Sequence, residues 1–295
     1  MPIDRTALAV LSIELAERLK LDEDLGLTYT YALPVQAAEE EMILTESSSQ
    51  EVYSVPIKPT PSSSVTQSSA VSSADISPPA KRPSPFASEG IPPAPPALQD
   101  EKMIEVRERA LHCQKCGLAA TRTNVAFGEG AVPAEIMFIG EGPGRDEDET
   151  GRPFVGLAGQ FLTRIIEKAL EVPRHSVYIA NIVKCRAPGN RDPKPEEISA
   201  CHGFLLEQIR IVKPKIIIAV GKPAANTLLE NTEAIGKMRG IWYTYEGVPL
   251  RVIYHPSYLL RKRGGLNGKA TEDDRKTWED IKEVKKKLAT LKEGT

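Results

Sequence analysis

Four cysteines are the residues of this chain best suited to bind a metal. Cys113 and Cys116 form a C-x2-C pair, and Cys185 and Cys201 follow with fifteen residues between them. A cytosolic chain has little use for two disulfides, so this arrangement predicts a metal site. Four unrelated buried thiols are the alternative, and the close first pair makes it the weaker interpretation.

The spacing of the cysteines bears on which metal they bind. Zinc usually takes its thiolates as two close pairs, whereas here only the first pair is close. An iron–sulfur cube presents four corners and tolerates wider spacing, so the pattern favours a cluster without excluding zinc. Redox, catalytic and structural roles are open to such a cluster. Ligands from the start and the middle of one domain favour a structural role.

A glycine-rich segment at 140–144, Gly-Glu-Gly-Pro-Gly, could bring backbone close to a flat ligand. A dinucleotide-binding G-x-G-x-x-G motif needs glycine where Arg145 stands, so a Rossmann cofactor is not expected. The acidic run that follows places carboxylates beside the segment, although most of a charged run faces water. The segment therefore indicates a ligand site of another kind.

Three further residues could contact a ligand. Phe154 lies in a loop framed by glycine and proline and could stack on a flat ring, although a single Phe is more often core. Asn181 offers a donor and an acceptor side by side, and asparagine is also a common turn former. His255 could donate to a developing oxyanion or make an ordinary loop hydrogen bond. Their shared position after predicted strands favours a common site.

Alternating apolar strands and helices after residue 100 must position these residues. We predict strands at Glu135–Gly140, Val177–Asn181, Lys215–Val220 and Leu250–Tyr254, and helices at Leu157–Leu170, Pro195–Val212, Pro223–Glu230 and Asp273–Leu291. Short apolar runs that alternate with helices predict a parallel sheet covered on both faces. Ligands of such sheets bind outside the carboxyl ends of the strands, where the residues above fall.

The first hundred residues differ in character from the rest. They carry 6 Lys/Arg and 14 Asp/Glu, a net charge of −8, so residues 101–295 carry +6 of the total of −2. A basic domain suits a polyanion, although surface lysines often serve solubility alone. Residues 5–20 have helical leucine spacing, and the segment from 47 to 100 is a Ser/Pro-rich linker that cannot bury enough apolar surface to fold.

These patterns divide the chain into an acidic segment at 1–46, a disordered linker at 47–100 and a folded domain at 101–295. No segment approaches the ~18 apolar residues that a membrane span needs. We therefore expect a cytoplasmic protein with no membrane partner. The predicted helix within the segment at 1–46 is either a partner-docking segment or inert.

Three ordered motifs resemble those of the family 4 (iron–sulfur) uracil-DNA glycosylases. They are GEGPGRDEDETGRPFVGLAG, YIANIVKCRAPGNRDPKP and HPSYLLR, and the four cysteines accompany them. The resemblance covers residues 103–290. It implies the α/β class, as a three-layer α/β/α sandwich with a central four-stranded parallel sheet. It also implies a monomeric base-excision-repair enzyme that flips uracil from single- or double-stranded DNA and hydrolyses its N-glycosidic bond.

The resemblance also implies roles for individual residues. A mainly structural 4Fe-4S cluster is held by Cys113, Cys116, Cys185 and Cys201. Phe154 stacks on the flipped uracil, Asn181 reads its polar edge, and backbone around Gly142 contacts it. His255 donates to the uracil O2. The HPSYLLR segment enters the minor groove through Ser257, with Leu259 or Arg261 near the emptied position.

The residue that activates water is not identified by the resemblance. In the better-known class of these enzymes an aspartate stands where this chain has Gly142, so the base must lie elsewhere or be dispensable. Glu141 and Glu147 are the nearest carboxylates, and we prefer Glu147. The loop at 187–193 lacks the histidine with which a related branch traps its product, so ordinary turnover is expected.

Two other classes of function are compatible with parts of the pattern. The domain could be a DNA-binding or polymerase-associated module that has lost hydrolysis, but Phe154, Asn181 and His255 argue against that loss. It could instead be an iron–sulfur redox protein. No flavin or redox-partner motif is visible in the sequence to favour the redox function.

Overall fold

The computed structural model describes residues 99–293 together with Pro92. The predicted helix at 5–20, the segment at 1–46 and nearly all of the linker at 47–100 lie outside the described residues. The description below concerns the domain at 101–295.

A six-stranded mixed sheet forms the centre of this domain. Its strands are β1 (Glu129–Gly130), β2 (Ile136–Gly140), β3 (Tyr178–Asn181), β4 (Ile216–Val220), β5 (Trp242–Tyr245) and β6 (Val248–Ile253), in the spatial order β1-β3-β2-β4-β6-β5. The four inner strands, β3, β2, β4 and β6, are parallel. They confirm the predicted four-stranded parallel sheet.

The two outer strands are a difference from the prediction. β1 pairs antiparallel with β3 and is only two residues long, too short for an alternating pattern. β5 pairs antiparallel with β6, and Glu246 and Gly247 between them have φ of 50° and 77°. Such a two-residue turn matches the twist of a hairpin. The sequence therefore contains a hairpin signal, glycine after a polar residue between aromatic and aliphatic runs, that the strand prediction did not use.

Helices cover both faces of the sheet. They are α1 (Glu101–Leu111), α2 (Arg145–Thr150), α3 (Leu157–Arg164), α4 (Pro195–Val212), α5 (Lys222–Leu229), α6 (Ile235–Met238), α7 (Pro256–Arg263) and α8 (Glu272–Glu293). The predicted helix at 157–170 is α3 continued by one π-helical stretch, Ile165–Leu170. The other three predicted helices agree within two residues at each end.

Alternating side chains of the inner strands build two separate cores. In β2, Met137 and Ile139 pack with α1, α4 and α5, whereas Ile136 and Phe138 pack with α3, α7 and α8. All four of these side chains are at most 2% exposed. Strands apolar on both faces must be covered on both faces, which gives the three layers. None of the helices within residues 99–293 is long and apolar enough to cross a membrane.

Candidate active site

A cleft of about 420 Å³ opens where the parallel strands end. β2 ends at Gly140, β3 ends at Asn181, and His255 lies two residues beyond β6. The predicted residues that line the cleft are Glu141, Gly142, Glu147, Phe154, Asn181, His255, Ser257 and Arg261. The structure thus brings together residues from three separate motifs at the edge of the sheet that the strand pattern predicted.

The Asn181 side chain is an unsatisfied amide on the cleft wall. It is 1% exposed, and among the described residues neither its Oδ1 nor its Nδ2 has a hydrogen-bond partner. Asn181 pairs in register with Gly140, where a Cβ atom would lie 2.5 Å from Asn181 Oδ1 and 2.5 Å from a Phe154 ring carbon. Since buried amides are normally hydrogen-bonded, a free donor and acceptor facing a cleft indicate a polar ligand.

Phe154 is held in a backbone conformation that aromatic residues rarely adopt. Its φ is 52°, in the left-handed region, and its ring is 5% exposed. The ring centroid lies 5.8 Å from that of His255, with 33° between the two planes. Backbone strain of this kind is retained where surrounding contacts enforce it, and it often marks a ligand site.

Glu147 enforces that loop conformation. Its Oε1 accepts hydrogen bonds from the backbone N–H groups of Val155 and Gly156, both at 2.9 Å, and its Oε2 accepts one from Gly144 at 3.1 Å. Both carboxylate oxygens are therefore engaged by the backbone of the loop. These contacts suit a positioning role for Glu147, and its role as the water-activating base stays a prediction.

Glu141 has the environment of a base that works near neutral pH. Burial raises its pKa to about 7, and the neighbouring Asp192 adds to this through its negative charge and a hydrogen bond. Asp192 comes from the loop after β3 and also lines the cleft. A general base is most effective when its pKa lies near the working pH, which favours Glu141 over Glu147.

His255 presents a neutral N–H to the cleft. Its Nδ1 accepts the backbone N–H of Ser257 at 3.1 Å, an interaction that caps the start of α7. Because a backbone amide can only donate, Nδ1 carries no proton and Nε2 carries the single one. Burial, and then the charge of Arg261, lower the pKa of His255 to about 4, so the ring is neutral at physiological pH.

Helix α7 presents fewer residues to solvent than the sequence predicted. Leu259 is fully buried in the core between α7 and α3, so its predicted contact with DNA is not supported by this conformation. Its position one turn into an amphipathic helix directs it inward. Arg261 is exposed, with Nη1 3.4 Å from Ser257 Oγ, and these two residues remain at the mouth of the cleft.

The loop after β3 contributes cleft residues that the sequence prediction missed. Val183, Asn190, Arg191, Asp192 and Pro193 all line the cleft. The motif around them predicted roles for Asn181 and Cys185 but none for these five residues. The signal was available in the polar run from 190 to 192, because polar residues that follow an inner parallel strand fall at the ligand edge.

The four cysteines line one small pocket, and none of them lines the cleft. Cys113 and Cys116 follow α1, Cys185 follows β3, and Cys201 lies in α4; none is in a disulfide. Burial raises the pKa of Cys185 to about 11 and raises that of Cys201 as well. Arg122 Nη1 lies 3.3 Å from Cys185 Sγ, and its cation opposes the rise.

The donor set of this pocket fits an anionic sulfur-ligated centre. Lys115, Arg122 and Lys184 line the pocket, and no carboxylate lines it among the described residues. Within residues 99–293, no three His, Cys, Asp or Glu side chains are grouped to hold a single metal ion. Four thiols in one pocket can hold a sulfur-ligated metal centre, and the three cations can balance its negative charge.

The fold and cleft define an α/β protein that receives a flat polar ring at the carboxyl ends of its strands. Residues 127–282 match the family model described as the uracil DNA glycosylase superfamily. The chain belongs to this superfamily and, within it, to family 4.

Relatives agree with that assignment. The type-4 uracil-DNA glycosylase of Thermotoga maritima is 45% identical over 190 residues, which cover 63% of this chain and 95% of the relative. Those of Sulfurisphaera tokodaii and Saccharolobus solfataricus are 43% and 45% identical, covering 54% and 52% of this chain and 74% and 73% of the relatives. The family resemblance inferred from the motifs is confirmed.

Proposed function

We propose that this chain excises uracil from DNA by hydrolysing the N-glycosidic bond, as its family predicts, and that the cleft receives the flipped base. The observation that carries the proposal is the unsatisfied Asn181 amide. Uracil presents the O4 acceptor next to the N3–H donor, so one amide in one orientation pairs with both. The partner is uracil-containing DNA, and the product is an abasic site with free uracil.

Phe154 and His255 complete the binding of the base. The Phe154 ring supplies an apolar face for stacking, and Gly142 leaves room for backbone approach, since a Cβ there would lie 2.9 Å from Val183. The His255 Nε2–H points to the uracil O2. As the bond between C1′ and N1 breaks, its electron pair stays with uracil and the charge is shared by O2. A donor aimed at that oxygen stabilises charge that appears only in the transition state.

Water completes the reaction at C1′. The water oxygen bonds to C1′, and its proton passes to Glu141, whose pKa of about 7 leaves it partly ionised at neutral pH. Asp192 holds that pKa up. Flipping costs less from a mispaired than from a paired base, so a U·G pair is excised faster than U·A.

We propose that Cys113, Cys116, Cys185 and Cys201 hold a 4Fe-4S cluster with a structural role. The shared pocket, its cations and the family assignment support this. When bound, the cluster supplies a cross-link between the end of α1, the end of β3 and α4. Monomeric activity, the cytoplasmic location and the docking of a repair or replication partner on residues 1–46 stay predictions.

Labelled oligonucleotides with U·G, U·A or single-stranded uracil test the activity in the presence of a metal chelator. Alkali then cleaves the strand at any abasic site. We expect breaks at uracil, fastest for U·G within the duplexes, and their loss in a His255→Ala, Asn181→Ala double variant. A His175→Ala, Asn231→Ala double variant, altered at the same residue types outside the cleft, keeps the activity. An iron-loaded wild-type protein that produces no breaks would contradict the enzymatic function and favour a DNA-binding module.

A further inference from the structure

A buried lysine joins the cysteine pocket to the cleft. Lys184 is 1% exposed, and its Nζ donates hydrogen bonds to the backbone carbonyl of Asn181 at 2.8 Å and to Gln208 Oε1 at 2.5 Å. Both acceptors are neutral. No carboxylate contributes to the environment of Lys184 among the described residues. A buried ammonium is costly unless an anion compensates it, so its charge requires an anion nearby.

The cysteine pocket supplies that anion. Lys184 precedes Cys185 in the chain and lines the pocket with the four cysteines. Four thiolates around a cluster retain negative charge, and a cation that cannot move away balances it.

Lys184 also fixes the backbone of Asn181, the residue proposed to bind the uracil edge. Its bond to the Asn181 carbonyl holds the last residue of β3, where the sheet gives way to the cleft loop. The Asn181 side chain has no hydrogen bond of its own, so its direction depends on the backbone that carries it. Gln208 holds the ammonium in place, and its Nε2 in turn donates to the carbonyl of Phe127 at 2.9 Å.

We propose that Lys184 is a positioning residue whose cation is retained by the cysteine-bound centre and whose N–H holds the Asn181 backbone in register with the cleft. This inference rests on the proposed function, since it assigns Asn181 to the uracil. If Lys184 has this role, the metal centre contributes to binding of the base as well as to the stability of the fold.

The test compares full-length, iron-loaded wild type with Lys184→Met, which keeps the length and flexibility of the chain without its charge. Lys115→Met is the matched control, because Lys115 lines the same pocket but is exposed and does not contact Asn181. Three quantities are measured: iron content, the midpoint potential of the cluster, and the separate kcat and KM for uracil excision from a U·G duplex.

In Lys184→Met the midpoint potential shifts to more negative values, since loss of a nearby cation disfavours the added electron. Its kcat falls by about tenfold, the loss expected for one hydrogen bond, whereas the KM for DNA is unchanged because the DNA-facing surface is intact. Lys115→Met shows a smaller shift in potential, since water and salt screen its ammonium, and wild-type kcat.

A second variant, Gln208→Glu, tests the proposal if Lys184→Met does not fold. Gln208→Glu has the same shape and sets a carboxylate beside the lysine, which lowers the net charge near the cluster, so the potential again shifts negative. An unchanged potential in the folded variants overturns the proposal. A shifted potential in Lys184→Met with kcat within about twofold of wild type overturns it as well. If the wild-type protein does not excise uracil, the proposed function is wrong. That result is independent of the measured midpoint potentials, so the two failures can be told apart.

Discussion

The Nδ1 atom of His255 accepts the backbone N–H of Ser257 at 3.1 Å and lies 2.8 Å from the Ser257 hydroxyl oxygen. The first contact fixes the tautomer, because it requires an unprotonated Nδ1. The imidazole is thereby both the cap of α7 and a neutral donor toward the cleft. Gly221, with φ of 91°, lies beneath it, and a Cβ atom there would be 2.8 Å from His255 Cβ. The start of α7 and the close approach of Gly221 therefore both hold the His255 ring in place.

Removal of the donor tests this arrangement. His255→Ala is expected to slow single-turnover excision of uracil by about 10²- to 10³-fold, the usual loss for one oxyanion donor. Ser257→Ala is the control: it removes the hydroxyl but keeps the backbone N–H that sets the tautomer, so the rate stays close to wild type. Equal losses in both variants would show that the hydroxyl, rather than the tautomer, orients the ring.

The pH dependence of excision tests Glu141. Its pKa is raised to about 7, so it is mostly protonated below that pH and becomes a competent base above it. The rate therefore rises with pH through about 7, and Glu141→Gln removes this rise. Asp192→Asn lowers the Glu141 pKa and moves the rise to lower pH. His255 remains neutral across the range, because its pKa is lowered to about 4.

The raised pKa of Glu141 also makes the stability of the fold depend on pH. Glu141 binds its proton more tightly in the folded chain than in the unfolded chain, so folding is favoured by low pH at this site. Between pH 4.5 and about 7 its contribution to stability declines as pH rises. A rise in pKa measured for Glu141 by carboxyl NMR chemical shifts would confirm the cause, and a value near 4.5 would contradict it.

A Glu147 variant tests whether this residue positions the loop or transfers a proton. Glu147→Gln keeps the shape but loses the charge that accepts three backbone N–H groups and presents an N–H₂ group to one of them. We expect a loss of about 1–3 kcal/mol in the free energy of unfolding, measured by urea titration. The pH profile of the remaining activity keeps the wild-type midpoint. A lost pH dependence in this variant would return Glu147 to the role of base.

The sequence predicted the layout of this domain because the inner strands carry unambiguous information. IIIAV at β4 is apolar on both faces and cannot belong to a one-sided sheet, so the three layers follow from it. The position of Asn181 and His255 at the strand ends followed from the same pattern. Family resemblance then supplied roles that no spacing could give.

The contacts that distinguish the candidate site residues from one another are not contained in any linear pattern. Glu147 and Glu141 are both acidic residues in one motif, and only the loop at Val155 and Gly156, folded back on Glu147, distinguishes them. Leu259 could face DNA or the core until the direction of α7 is known. Nothing in the sequence distinguishes Lys184 from a surface lysine. Its buried ammonium bonds to Gln208, which lies twenty-four residues away in α4.

A buried ionic cluster behind Phe154 gives a final test of how the loop is held. Arg174 Nη2 donates to Glu129 Oε1 at 2.8 Å and to the carbonyl of Pro153 at 2.9 Å, and the charged side chains of this pair are 7% and 8% exposed. Burial lowers the pKa of Arg174, and the carboxylate of Glu129 opposes that change. Loss of one member of a buried pair leaves the other charge uncompensated.

Glu129→Gln should therefore cost about 3–5 kcal/mol in the free energy of unfolding. It should also slow excision, because the backbone that sets the φ of Phe154 is no longer anchored at Pro153. Glu135→Gln is the matched control: Glu135 pairs with Lys215 at 3.4 Å on the surface, where such pairs contribute about 0–1 kcal/mol. Urea titration and excision rates of both variants check this. A Glu129→Gln variant as stable as Glu135→Gln would show that Thr163, whose Oγ1 lies 2.9 Å from Arg174 Nη1, and Pro153 hold the arginine without the carboxylate.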